Sequence, residues 1–205
     1  MDGKEYLNQI SAMNRPETKT KKSKLLSSKF FVVGLIGVIG LIVIIIFGAI
    51  LGGNKGGEKN LSIKLLLHVN NTASVIQEYQ PLVKSSGLRS SSASLYSVLS
   101  NTSRDVTNYL TNKYNYKEKE VSKDVVESAS LAKDGLDADL FEAKINGVLD
   151  RIYAHKMAYE ISLIMTEEAK IINVAGNTSL KESLTASYNS LNNLYDNFND
   201  FSETN

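Results

Sequence analysis

Residues 179–198 read SLKESLTASYNSLNNLYDNF, and their apolar side chains Leu180, Leu184, Tyr188, Leu191, Tyr195 and Phe198 return every three or four positions. That is the period of an α-helix with one buried stripe, and Ser179-x-x-Glu182 ahead of it has the form of a capping box. A helix is therefore predicted to start at Ser179. Its stripe drifts and carries aromatic rings, which suits packing on several neighbours better than the single seam of a coiled-coil rod.

Working back towards the N-terminus, the same period recurs. A fourth and longest helix is predicted from Asp137 to Asn173, with Phe141, Ile145, Val148, Ile152, Met157, Ile161, Ile164 and Ile172; Asp139 and Glu142 resemble a capping pair at its start, and Gly176 sits where a C-terminal cap would. A shorter third shows Val121, Val125, Ala129 and Ala132 and stops at Gly135. The second, opened by the serines at 90–92, carries Leu95, Leu99, Thr102, Val106, Tyr109 and Leu110. The first runs from Leu61 to about Val83 with Leu65, Val69, Ala73 and Ile76; Pro81 bends or ends it and Gly87 closes the turn. No segment alternates with the two-residue period of a strand. The fold class predicted for residues 60–205 is all-α, an up-and-down bundle of four long helices plus a short connector.

Upstream the composition changes. Residues 30–51 comprise 17 Leu, Ile, Val or Phe, four Gly and one Ala, without a charge. A helix of this length is about 33 Å long, enough for a hydrocarbon core of about 30 Å. At about −0.3 to −0.6 kcal/mol per strongly apolar residue, transfer is favourable by on the order of −5 to −10 kcal/mol. A single transmembrane helix is predicted there. The run is longer than the apolar region of a cleavable signal peptide and lacks a good small-residue cleavage site, so it is expected to remain as a signal-anchor. It differs from a pilin anchor as well: Lys29 precedes Phe30, and Gly34 stands where that family has a Glu.

Residues 1–29 form a short tail with seven basic and three acidic side chains, a net +4. Lys19, Lys21, Lys22, Lys24 and Lys29 crowd the membrane side and act as topology determinants. The positive-inside rule then puts the tail in the cytoplasm and the rest in an extracytoplasmic position on the plasma membrane, after a glycine-rich linker at 52–59. The whole chain carries +1, and no basic stripe interleaved with aromatics occurs, so no nucleic-acid partner is expected. The lipid bilayer is the first expected partner. Gly34, Gly37, Gly40, Gly48 and Gly52 make small-residue spacings that let a second helix approach closely, so self-association or a protein partner in the membrane is the second.

Chemistry-bearing motifs are sparse. Without cysteine there is no disulfide and no thiolate site. The histidines His68 and His155 are the weak metal candidates, but neither follows a Glu by three residues as di-iron bundles require, so no metal and no cofactor are expected. The pair Glu167-Glu168 reads as a solvated helix face. There is no phosphate loop and no nucleophile elbow, and a non-enzymatic role is expected. Tyr109, Tyr114 and Tyr116 lie among lysines in the 109–120 stretch and read as a possible interface.

One anchor plus an outer helical bundle is similar to the sensory ectodomains of chemoreceptors, which add a second membrane helix and a large cytoplasmic output domain. The 29-residue tail offers no such output. Lys-over-Arg and Asn-rich usage associates with bacteria of AT-rich coding. The function expected is a membrane-anchored binding or structural module of the cell envelope, with a small-ligand or metal-binding bundle, or an accessory subunit of a membrane complex, as alternatives.

Overall fold

The computed structural model describes residues 57–201, and within them five α-helices and no strand. The expected membrane helix at 30–51, its glycines Gly34, Gly37, Gly40, Gly48 and Gly52, and the basic tail lie outside the described residues. Among the described residues no helix is long and apolar enough to cross a membrane.

Helix α1 spans Glu58–Tyr79 and turns most of its circumference inward, burying Ile63, Leu65, Leu66, Val69, Val75, Ile76 and Tyr79. It begins inside the stretch expected to be linker. Pro81 has no amide to extend the helix, and a 3-10 turn at Gln80–Leu82 follows. Helix α2 spans Ser86–Tyr114; its cap is Ser85, whose side chain accepts from the Leu88 amide at 3.3 Å, so Gly87 and the serines at 90–92 are already helical. It ends at Asn115, held left-handed at φ 50, a conformation Asn tolerates better than most residues.

The third and fourth helices require a correction. Helix α3 spans Lys123–Ile145 and α4 spans Leu149–Val174. The expected connector is thus a full helix, and the bundle has five comparable helices instead of four and a connector. Gly135 lies inside α3 with ordinary helical backbone, while the chain breaks at Gly147, whose φ is +71. There Val148 N donates to Ala143 O at 3.0 Å and Gly147 N to Lys144 O at 3.2 Å, which is the Schellman closure that a left-handed residue makes possible. Asp139 and Glu142 are therefore mid-helix residues, not caps. Helix α5 spans Thr178–Asn199 and is capped by Asn177, whose Oδ1 accepts from Leu180 N at 2.8 Å; Ser179 is its second residue.

Each helix runs antiparallel to the next. Helices α1, α2, α5 and α4 form a ring in cross-section, each packed on the one before and α4 on α1, and α3 lies outside against α1 and α4. The shared interior is aliphatic, with Leu65, Ile76, Leu95, Leu99, Leu110, Met157, Ile161, Ile164 and Ile171 fully enclosed. Tyr153 and Phe198 close one end of it, ring centroids 6.5 Å apart. At the same end the Asp150 carboxylate, in the first turn of α4, accepts from Lys84 N at 3.0 Å and Ser85 N at 2.7 Å and so fastens the α1–α2 loop.

Candidate functional site

Three polar constellations and one apolar face depart from plain helix packing. The first joins α1 to α4. Glu160 and Glu167 are seven residues, two turns, apart and share a face. His68 lies between them, with Nε2 2.7 Å from Glu160 Oε2 and Nδ1 3.0 Å from Glu167 Oε2. The imidazole can donate at both nitrogens only as the cation. Burial by itself would lower the pKa of His68, whose side chain is 19% exposed, but the hydrogen bonds and charges of the two glutamates outweigh that and push it up to about 10. The arrangement is a charge-assisted clamp between two helices. His155 is exposed and five residues from Glu160, so the two histidines are not brought together. Among the described residues no group of three His, Cys, Asp or Glu side chains is placed to hold a metal ion.

The second constellation is internal. Glu168 follows Glu167 by one residue, hence by about 100° around the helix, and points into the bundle with 0% exposure. Ser187 of α5 donates to its Oε1 at 2.6 Å. Thr102 of α2 lies 2.7 Å from Ser187 Oγ and donates to the Val98 carbonyl at 3.0 Å. Glu168 Oε2 is buried without a hydrogen-bond partner among the described residues. Burial pushes the carboxyl up to about 8, partly offset by the Ser187 bond and reinforced by the charge of Glu167. Glu167-Glu168 is thus not one solvated face: one member clamps His68 and the other is a core residue.

The third gathers the tyrosines. Tyr109 is buried, Tyr114 and Tyr116 half-buried. Tyr109 and Tyr114 meet edge to face at 5.9 Å, and the Tyr109 hydroxyl donates to Glu58 in the first turn of α1. Lys113 donates to the same carboxylate at 2.7 Å and stands 5.2 Å from both ring centroids. Burial would raise the pKa of Glu58, but the bonds from Lys113 and Tyr109 hold it below the ordinary carboxylate value. Tyr109 and Tyr114 therefore tie the start of α1 to the end of α2, with ring edges and hydroxyls engaged inside the chain.

The apolar face corrects the sequence reading: Phe141 and Ile145, expected in the packed seam of the fourth helix, lie instead on the open side of α3 with Leu131, which the sequence reading did not single out. Leu131, Phe141 and Ile145 on α3 are 65%, 57% and 69% exposed. At 100° per residue they fall, with Ala138, within about 80° of arc, roughly opposite the buried Leu136, Leu140 and Ala143. Helix α3 thus has two apolar faces, and the bundle covers one. The steps 131, 138, 141 and 145 follow helical spacing, the signal that could have marked the second stripe. No protein-family model, curated protein or solved structure matches this chain.

Proposed function

We propose that this chain is a single-pass, membrane-anchored, non-enzymatic interaction module of a cell envelope, whose extracytoplasmic bundle docks another protein on the outer face of α3. The observation that carries it is the exposure of Leu131, Phe141 and Ile145 on one side of a helix whose opposite side is packed. Each such side chain is worth about 1.5–3 kcal/mol when fully taken from water, and exposed large apolar side chains gathered on one helix face favour an interaction site. The apolar run at 30–51 and the basic residues before it support the anchored topology. A metal-binding bundle has less support, because both ring nitrogens of His68 are engaged by carboxylates.

A photoreactive amino acid at Ile145 in native membranes tests the docking face. A crosslinked partner is expected from that position and not from the exposed Lys64 of α1 used as control. Equal labelling from both positions, or none from Ile145, counts against it.

A further inference from the structure

We infer that the outer face of α3 receives a cationic amphipathic helix of the partner. This rests on the docking face proposed above and adds the chemistry of its occupant. Glu127, Asp134 and Glu142 are exposed, and by helical rotation they share the outer arc with Leu131, Ala138, Phe141 and Ile145. Lys133 and Lys144 fall on the other side of the helix by the same rotation, and only Lys123, at its N-terminal end, joins the arc. Glu127 and Asp134 thus fall among the apolar side chains and Glu142 at the edge beside Leu131, so the face interleaves apolar and acidic groups along its length.

Charge decides between occupants. A second copy pairing antiparallel about Ala138 sets Asp134 of each copy against Glu142 of the other, and a parallel pairing sets each acid against its twin; like charges so placed destabilise. An anionic lipid surface meets the same repulsion. A helix with apolar residues at three- and four-residue steps and Lys or Arg interspersed beside them meets both the apolar and the acidic side chains of this face, which is the helix-in-groove mode with complementary charge. The spacing of Leu131, Ala138, Phe141 and Ile145 extends over about four turns, so about 15 residues of partner helix suffice to cover it.

The test uses the full chain in phosphatidylcholine nanodiscs and two synthetic helices of about 18 residues with the same leucine stripe, one flanked by Lys and one by Glu. Fluorescence anisotropy, with empty discs subtracted, should show the Lys-flanked helix binding at least about tenfold tighter, and Phe141→Ala weakening it by about tenfold or more. Asp134→Lys combined with Glu142→Lys should invert the preference between the two helices. Both substituted positions are exposed, and unchanged circular dichroism checks that the fold is kept. Equal binding of the two helices, or a preference untouched by the charge reversal, overturns the inference. A chain that sediments as a dimer, and as a monomer with Phe141→Glu, overturns it in favour of a second copy. If Ile145 crosslinks a partner while the charge reversal changes nothing, the docking face stands and the cationic helix is excluded; if neither responds, both fall.

Discussion

Helices α3 and α4 follow one another, are 23 and 26 residues long, and distribute polarity in opposite ways. Helix α4 encloses a carboxyl group, Glu168, at 0% exposure, while α3 leaves a phenyl ring and an isoleucine more than half in water. Their places in the bundle explain the difference. Helix α4 is packed by α1, α3 and α5, so almost any side it presents is an inside, and a polar residue in its seam has to be buried with partners. Among the described residues helix α3 packs on α1 and α4 and keeps an outer half exposed. In such a bundle the residues that go against their surroundings are the informative ones, because each has a free-energy cost that ordinary packing does not require.

The polar side of the comparison breaks most readily with pH. His68 and Glu168 both have native pKa values above their ordinary ones, so each stabilises the fold while protonated. The His68 contribution is complete below pH 6.5 and is lost as pH rises through about 10; that of Glu168 is present below 4.5 and is lost as pH rises through about 8. Stability is expected to fall between pH 6 and pH 10 by about 4 kcal/mol through His68 and by about 3 kcal/mol through Glu168, read from urea midpoints. His68→Gln should remove the upper part of that slope and Glu168→Gln the lower part. Glu58 acts with the opposite sign, its contribution present above pH 4.5 and lost as pH falls through its depressed native value. A midpoint that rises steadily from pH 6 to pH 10 contradicts the clamp.

The junction between the two helices gives a smaller effect of either sign. Gly147→Ala should cost about 1 kcal/mol, because its φ of +71 disfavours a side chain. Gly135→Ala should add about 0.4–1 kcal/mol, since nothing lies within 4 Å of the new Cβ and the residue is mid-helix. Thermal melts of the two variants moving in the same direction would return the helix boundary to Gly135. The smallest effect belongs to the exposed face: Phe141→Ser should change stability by less than about 0.5 kcal/mol while docking is lost, and a large drop in melting temperature would make Phe141 a packing residue instead.

Much of this architecture is legible in the residues. The apolar period marks all five helical regions, and Leu65, Leu95, Leu99, Ile161 and Leu184 are buried as their spacing implies, whereas Phe141 and Ile145, read as the start of the fourth seam, belong to α3 and are exposed. The misplaced boundary came from stopping a helix at Gly135 and carrying the next one through Gly147. The seam of Val125, Ala129, Leu136, Leu140 and Ala143 runs in phase through Gly135, whereas the step from Ala143 to Leu149 breaks phase across Gly147. Glu168 was legible too: Ile161, Ile164, Glu168 and Ile171 step by three, four and three, which puts the carboxyl in the core stripe. His68 meeting Glu160 and Glu167 was not, since a contact across 92 and 99 residues depends on which helices become neighbours. The same limit hid the solvent side of α3, because exposure there follows from α3 standing outside the ring.

The Glu168, Ser187 and Thr102 group also restricts where hydrogens can sit. Each hydroxyl has one proton to give, and three acceptors wait in line: the neighbouring oxygens and the Val98 carbonyl. With Glu168 ionised, Ser187 must donate to the carboxylate and Thr102 must choose between Ser187 and Val98. With a proton on Oε1 the direction reverses, and Glu168 donates to Ser187, Ser187 to Thr102 and Thr102 to Val98, filling every bond. One added proton therefore orients a wire of hydroxyls across α4, α5 and α2, and its removal leaves three helices competing for two hydrogens.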